Sequence, residues 1–206
     1  LFALSPSGEP ELDAIMFSDL LRDDVFRLET QRLWLRWPRA SDARALARLG
    51  GDPHVAEKTP SLPQPFTEQD ATDWIFNSRR ANAAGESIVL VLTLKSRPGE
   101  PIGIVGLHAT RPGVAALSFW LGRPSQGQGL MTEALSALIG LAQRTAPLEE
   151  VRASPRAGDQ PSRRVLEKCG FASQGDSLVD LPARGGVVAC ERFHWLRPAG
   201  QAEDAA

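Results

Sequence analysis

Tyrosine is absent from this chain, and cysteine and methionine occur only twice each. Without a tyrosine, no phenol can serve as a proton donor. Cys169 and Cys190 stand in no metal-ligand spacing, so no metal is expected. They read as buried thiols in a reducing compartment, which places the protein in the cytoplasm. A formal net charge of −2 gives no field for nucleic acid or an anionic membrane surface. No apolar run approaches membrane-spanning length. Residues 1–24 also lack the basic start and continuous apolar stretch of a signal peptide. No lysine lies between Lys95 and Lys168, which excludes a nucleoside-triphosphate P-loop in that span.

What is present is a glycine-rich corner. The apolar run Ala115–Leu121 ends at Gly122-Arg123-Pro124 and is followed by Gln126-Gly127-Gln128-Gly129-Leu130-Met131-Thr132. Leu130, Met131, Ala134, Leu135, Leu138 and Ala142 then recur at helical spacing. A strand therefore runs through a glycine turn into a helix. Glycines let an anion approach the backbone, and the first-turn amides sit at the positive end of the helix dipole. Such a corner suits a phosphate. It fails the dinucleotide frame, because Thr132 stands where a third glycine belongs.

The stretch resembles motif A of the GCN5-related N-acetyltransferases (GNATs), Gln/Arg-x-x-Gly-x-Gly/Ala, with Gln126 and Gly129 in place and Met131 departing at the last position. Asp159 to Phe171 is similar to the late helix of that superfamily, Asn-x-x-Ser-x-x-x-hydrophobic-x-Lys-x-Gly-Phe, with Asp159 replacing the Asn. Thr30 to Arg36 resembles the Thr-x-Arg-Leu-x-Leu-Arg opening of the RimJ/RimL branch, and Pro63–Ile75 fits its second helix. The resemblance spans about residues 28 to 196, and the order of its pieces makes it specific.

It implies an acetyl-CoA-dependent N-acetyltransferase whose acceptor is a protein N-terminal amine or a small amine. Two rivals are a non-catalytic acyl-CoA-binding module and a scaffold that keeps only the fold. The cofactor set is Trp120, Leu121, Gly122, Gln126, Gly127, Gln128, Gly129, Leu130, Thr132, Asp159, Ser162, Arg164 and Lys168. In that set, Gln126–Leu130 take the pyrophosphate and the Leu121 or Gly122 N–H meets the thioester oxygen. Ser162 replaces the missing Tyr as donor to the thiolate, or simply bonds Asp159. His108, Glu191 and His194 are candidate bases; His194 takes the other face of its strand from Phe193 and Trp195, so it and Glu191 cannot both point inward. Glu133 is explained by the helix dipole. His54, after Asp52-Pro53, sits in a loop that borders the acceptor side in relatives.

The implied fold is α/β: a mostly antiparallel sheet of about seven strands, splayed between the fourth and fifth, with flanking helices. Strands are expected near 30–37, 87–95, 102–109, 114–121, 149–153, 171–177 and 187–196. Arg97-Pro98-Gly99 and Arg111-Pro112-Gly113 mark hairpin turns. A helix near 41–49 is expected to be capped by Ser41, and another to run from Thr67, with Asp70 three residues on, to Gly85. Residues 1–24 form an extension expected to be helical, 25–197 the domain, and 198–206 a flexible tail. The protein is expected to be a monomer or a homodimer.

Overall fold

A computed structural model describes residues 16–17, 24–59, 62–181 and 186–198. Its elements are β1 (Arg27–Glu29), β2 (Leu33–Arg36), α1 (Ala43–Gly50), α2 (Pro53–Lys58), α3 (Glu68–Ala84), β3 (Ser87–Leu94), β4 (Arg97–Arg111) and β5 (Val114–Leu121). After these come α4 (Leu130–Thr145), β6 (Glu150–Ala153), α5 (Gln160–Lys168), β7 (Ala172–Leu181) and β8 (Gly186–Leu196). The sheet order is β1-β2-β3-β4-β5-β6-β8-β7. All pairs are antiparallel except β5 with β6. The sheet has eight strands rather than about seven because a short β1 precedes the expected 30–37 strand and pairs with it; the expected strand runs only as β2, and Thr30–Arg32 make the break between the two. The break is held by the Thr30 N–H, which donates to the Leu33 carbonyl at 3.0 Å.

The helix signals of α3 and α5 work as local chemistry dictates. Thr67 and Asp70 form a capping box, each side chain accepting from the other's backbone N–H. At the far end Gly85 takes a left-handed conformation, with φ 74°. Its N–H donates to Asn82 and that of Glu86 to Ala81, which closes the last turn. Gly170 ends α5 in the same way, with the Phe171 N–H on the Leu166 carbonyl and its own on Glu167.

Three expectations need correction. Ser41 does not cap α1; it lies in a 3-10 turn, Ala40–Asp42, and the Asp42 carboxylate accepts the Arg39 N–H instead. Arg97-Pro98-Gly99 is not the first hairpin turn. The chain turns at Lys95-Ser96, and β4 absorbs the extra residues through register shifts opposite Thr93 and Leu94. Residues 53–58 are a helix, α2, rather than a loop. Asp52 caps it by accepting the His54 N–H at 2.9 Å, and Pro53 occupies its first turn. The second expected turn, at Pro112-Gly113, is in place, with Gly113 at φ 74°.

Strand alternation sends side chains to two cores. Ile88, Leu90, Leu92, Val105 and Leu107 pack with Leu130, Leu135 and Leu138 of α4. Val91, Ile104 and Trp120 face Leu46, Val55 and Ile75 of α1–α3. Met16 and Phe17 are buried in the first core, and both donate backbone N–H groups to the Gly85 carbonyl. The helix expected over residues 1–24 and the tail expected over 198–206 otherwise lie outside the described residues. No helix among the described residues is long and apolar enough to cross a membrane.

One ion pair is buried beneath α1. Arg36 holds Asp42 through two hydrogen bonds of 2.7 and 2.8 Å, and both residues are at most 5 % exposed. Removing one partner strands the other charge away from water. Asp42→Ala is therefore expected to destabilise the fold by about 3–5 kcal/mol, read by urea unfolding. A loss under 1 kcal/mol would show that Arg36 finds water or another partner.

Candidate functional site

The parallel pairing of β5 with β6 covers only Val114–Ala116 against Glu150–Arg152. Beyond Ala116 the two strands part. The expected splay is thus between β5 and β6, one strand later in the count because β1 was added. Ile104 pairs with Trp120, and the Gly122 N–H donates to the Ile102 carbonyl at 2.8 Å. Antiparallel alternation then turns the backbone of Leu117, Phe119 and Leu121 toward the gap.

That gap opens into a cleft of about 610 Å³. It gathers most of the residues read from the sequence as cofactor-binding. Trp120, Leu121, Gln126, Gly127, Gly129, Leu130 and Thr132 line one side; Asp159, Ser162, Arg164 and Lys168 line another. Gly122 does not join them as a donor. Its N–H is committed to Ile102, and a Cβ there would lie 2.5 Å from Leu49 Cδ2. Its glycine serves close packing against α1, and the N–H facing the gap is that of Leu121. Gln128 also points elsewhere, its side-chain amide donating to the Pro124 carbonyl.

The corner itself needs its glycines. Gly127 and Gly129 both have left-handed φ, 75° and 73°, which a side chain would strain. A Cβ at Gly127 would meet nothing within 4 Å, so conformation rather than crowding selects glycine there. The Gln126 side chain donates to the Leu121 carbonyl at 2.7 Å and ties the turn to the strand edge. The first helical acceptor is the Gly129 carbonyl, taken by the Glu133 N–H at 3.1 Å. The amides of Leu130, Met131 and Thr132 therefore precede the helical ladder.

Glu133 does more than favour the helix dipole. It accepts from the Thr30 hydroxyl at 2.6 Å, and from the Arg32 backbone N–H and guanidinium at 2.7 Å each. Burial alone raises its pKa, but these donors outweigh burial and hold the carboxyl below its ordinary range. Arg32 also donates to the Gln128 carbonyl at 2.9 Å. The corner is thus clamped to the start of β2 by residues about a hundred positions away.

On the opposite wall, the Ser162 hydroxyl donates to Asp159 at 2.7 Å. The second Asp159 oxygen is buried without a hydrogen-bond partner and lies 3.9 Å from the Lys58 ammonium. His54 and Lys58 of α2 also line the cleft. Lys58 was not singled out by its sequence context. The Asp-Pro start of a short helix was the signal that could have found it.

The three expected bases lie outside the cleft lining. Glu191 is held by Arg163 at 3.1 Å and by the Ser173 hydroxyl at 2.6 Å. His108 faces Ser118, 2.8 Å away, on the α1–α3 side of the sheet. His194 contacts Glu150 at 2.9 Å. Both cysteines are free thiols; Cys169 sits near Ser136 and the Thr132 carbonyl.

Burial lowers the His108 pKa from 6.5 to about 4. A base so weakened has little pull on an ammonium proton. It also has a stability consequence. The unfolded chain takes up the proton first, so the stabilising contribution is full above pH 6.5 and is lost as pH falls towards 4. Unfolding free energy should therefore fall across that window, and His108→Gln should flatten the slope. Identical slopes in the two proteins would mean His108 titrates normally in the fold.

Comparisons with known proteins bear on the family and the fold. The family model described as the acetyltransferase (GNAT) domain matches residues 32–172. An uncharacterized N-acetyltransferase, p20, of Bacillus licheniformis is 28% identical over 173 residues, covering 82% of this chain and 96% of that protein. A solved structure of RimL, a ribosomal L7/L12 alpha-N-protein acetyltransferase in complex with coenzyme A, superimposes with a TM-score of 0.73 at 20% identity. It covers 83% of this chain and 98% of its own. The ribosomal-protein-S5-alanine acetyltransferase of Vibrio fischeri gives a TM-score of 0.68 at 20% identity, covering 88% of this chain and 99% of its own.

Proposed function

This chain belongs to the GNAT acetyltransferase family and is an N-acetyltransferase; from that premise we propose that it moves the acetyl group of acetyl-CoA directly to a primary amine within a ternary complex. The single observation that carries the reading is the run of one cleft from the glycine corner, along the open edge of β5, to Ser162. A pyrophosphate at one end and a thioester at the other match that layout. The residues fit the cosubstrate: left-handed glycines keep the corner open, and the first-turn amides of α4 meet a phosphate charge. Arg164 and Lys168 of α5 add cations on the facing wall.

The chemistry follows from positions along the cleft. The Leu121 N–H donates to the thioester oxygen, where negative charge develops as the amine attacks. The C–N bond forms, the C–S bond breaks, and the thiolate takes a proton. In this reading Ser162, one of the hydroxyls lining the cleft, gives it, with its proton now directed at Asp159. Gln126 fixes Leu121 from the carbonyl side, so the two halves of the site are coupled. A protein N-terminal amine is the preferred acceptor class, supported by the likeness to RimL and to the S5-alanine enzyme. A small amine is the other acceptor class.

Gly129→Glu imposes a side chain on a left-handed residue and sets a carboxylate against the phosphates. Acetyl-CoA affinity should drop at least about tenfold in calorimetry, which is roughly 1.4 kcal/mol. Gly175→Glu is the matched control, left-handed at φ 85° on β7 with no heavy atom within 4 Å of its Cβ. Equal affinity in both variants would mean the corner does not hold the phosphates. The same titration should show CoA binding and no ATP binding.

A further inference from the structure

With Glu191 ion-paired and His108 held against Ser118, both outside the cleft lining, the amine still needs a group to take its proton. We propose that His54 of α2 is that base, with Lys58 and Asp159 as the pair that resets it. The proposal rests on the acetyl-transfer reading above and names a residue role within it.

Three observations place His54. It lines the same cleft as the Leu121 edge and Ser162, on the wall opposite the glycine corner. Its Nε2 lies 3.4 Å from the Lys58 ammonium. An ammonium has hydrogens to give and no lone pair to offer, so this contact requires Nε2 to be the unprotonated nitrogen. Lys58 in turn lies 3.9 Å from the Asp159 oxygen that is buried without a partner, and the other Asp159 oxygen holds Ser162 at 2.7 Å. His54, Lys58, Asp159 and Ser162 thus form one line of polar groups across the acetyl end of the cleft.

The unsatisfied oxygen gains a purpose in this arrangement. An ammonium acceptor surrenders one proton to His54 Nε2, and the freed electron pair forms the C–N bond with the acetyl carbon. Nε2 then no longer accepts from Lys58, whose ammonium moves to the waiting Asp159 oxygen. The C–S bond breaks, and the thiolate takes one proton. The nitrogen loses its second proton as the amide forms, so one proton in all is released to solvent. The charged groups facing the same cleft as His54 are Lys58 on α2, Asp159 at the start of α5, and Arg164 and Lys168 on α5, while the Asp52 carboxylate holds the His54 backbone N–H. Glu57 and Arg156, paired at 3.0 Å, bridge α2 to the β6–α5 loop nearby.

The test is His54→Ala assayed by CoA thiol release, with a short peptide bearing a free N-terminal serine as the acceptor. The variant should lose roughly 10²-fold or more in kcat at pH 7, with unchanged calorimetric affinity for acetyl-CoA. Free imidazole should restore part of the rate, and the variant's rate should climb with pH as the free amine becomes populated. Lys58→Met, which removes the donor on Nε2, should shift the pH profile of the rate. A wild-type rate and profile in His54→Ala would overturn the assignment, as would a loss of rate that imidazole does not restore. A wild-type protein that binds acetyl-CoA yet releases no thiol with any amine would overturn the acetyl-transfer reading itself.

Discussion

The early end of the β5–β6 pairing is the constraint on which the site depends. Two parallel strands joined through α4 would ordinarily pair along their shared length. Here pairing stops after Ala116 and Arg152, and the backbone of Leu117, Phe119 and Leu121 is left facing a gap. Unpaired backbone groups need partners. Gln126 meets the Leu121 carbonyl, and the reading proposed here lets a pantetheine arm serve along the rest. Because the turn after β5 leads through Gly127 and Gly129 into α4, the glycine corner sits at the mouth of the opened edge.

The corner is held at long range. Glu133 ties the first turn of α4 to Thr30 and Arg32, while Arg32 reaches back to the Gln128 carbonyl. A phosphate-binding turn gains little from flexible amides; fixed donors lose less entropy on binding. Across the cleft, α2 is linked to the β6–α5 loop by Glu57–Arg156 and by the Lys58–Asp159 approach. The two walls are therefore supported by different parts of the fold, with the core of β3–β5 between them.

Much of this was legible from local chemistry. The Thr67–Asp70 capping box, the stop glycines Gly85 and Gly170, and the turn at Gly127–Gly129 each declare themselves within a few residues. Most of the residues read as cofactor-binding line one cleft, because the order of the motifs follows the order of the elements that form it. What failed depends on distant partners. Gly122 reads as a free amide until Ile102 is placed beside it. Glu191 and His108 read as bases until Arg163 and Ser118 occupy them. The six residues of α2 are too few to show a helical period, and the preceding Gly50-Gly51-Asp52 reads as turn. Lys58 gains its place beside Asp159 through the packing of that helix. The strand break at Thr30–Arg32 likewise reflects Glu133, about a hundred residues on.

The claim at the centre is that the acyl-CoA lies along β5 with its phosphates on the first turn of α4. Amide hydrogen exchange with and without acetyl-CoA tests it residue by residue. The account predicts added protection at Leu121 and across Gly127–Thr132, with β7 and β8 unchanged. Protection confined to other segments, or none at saturating acetyl-CoA, would contradict it.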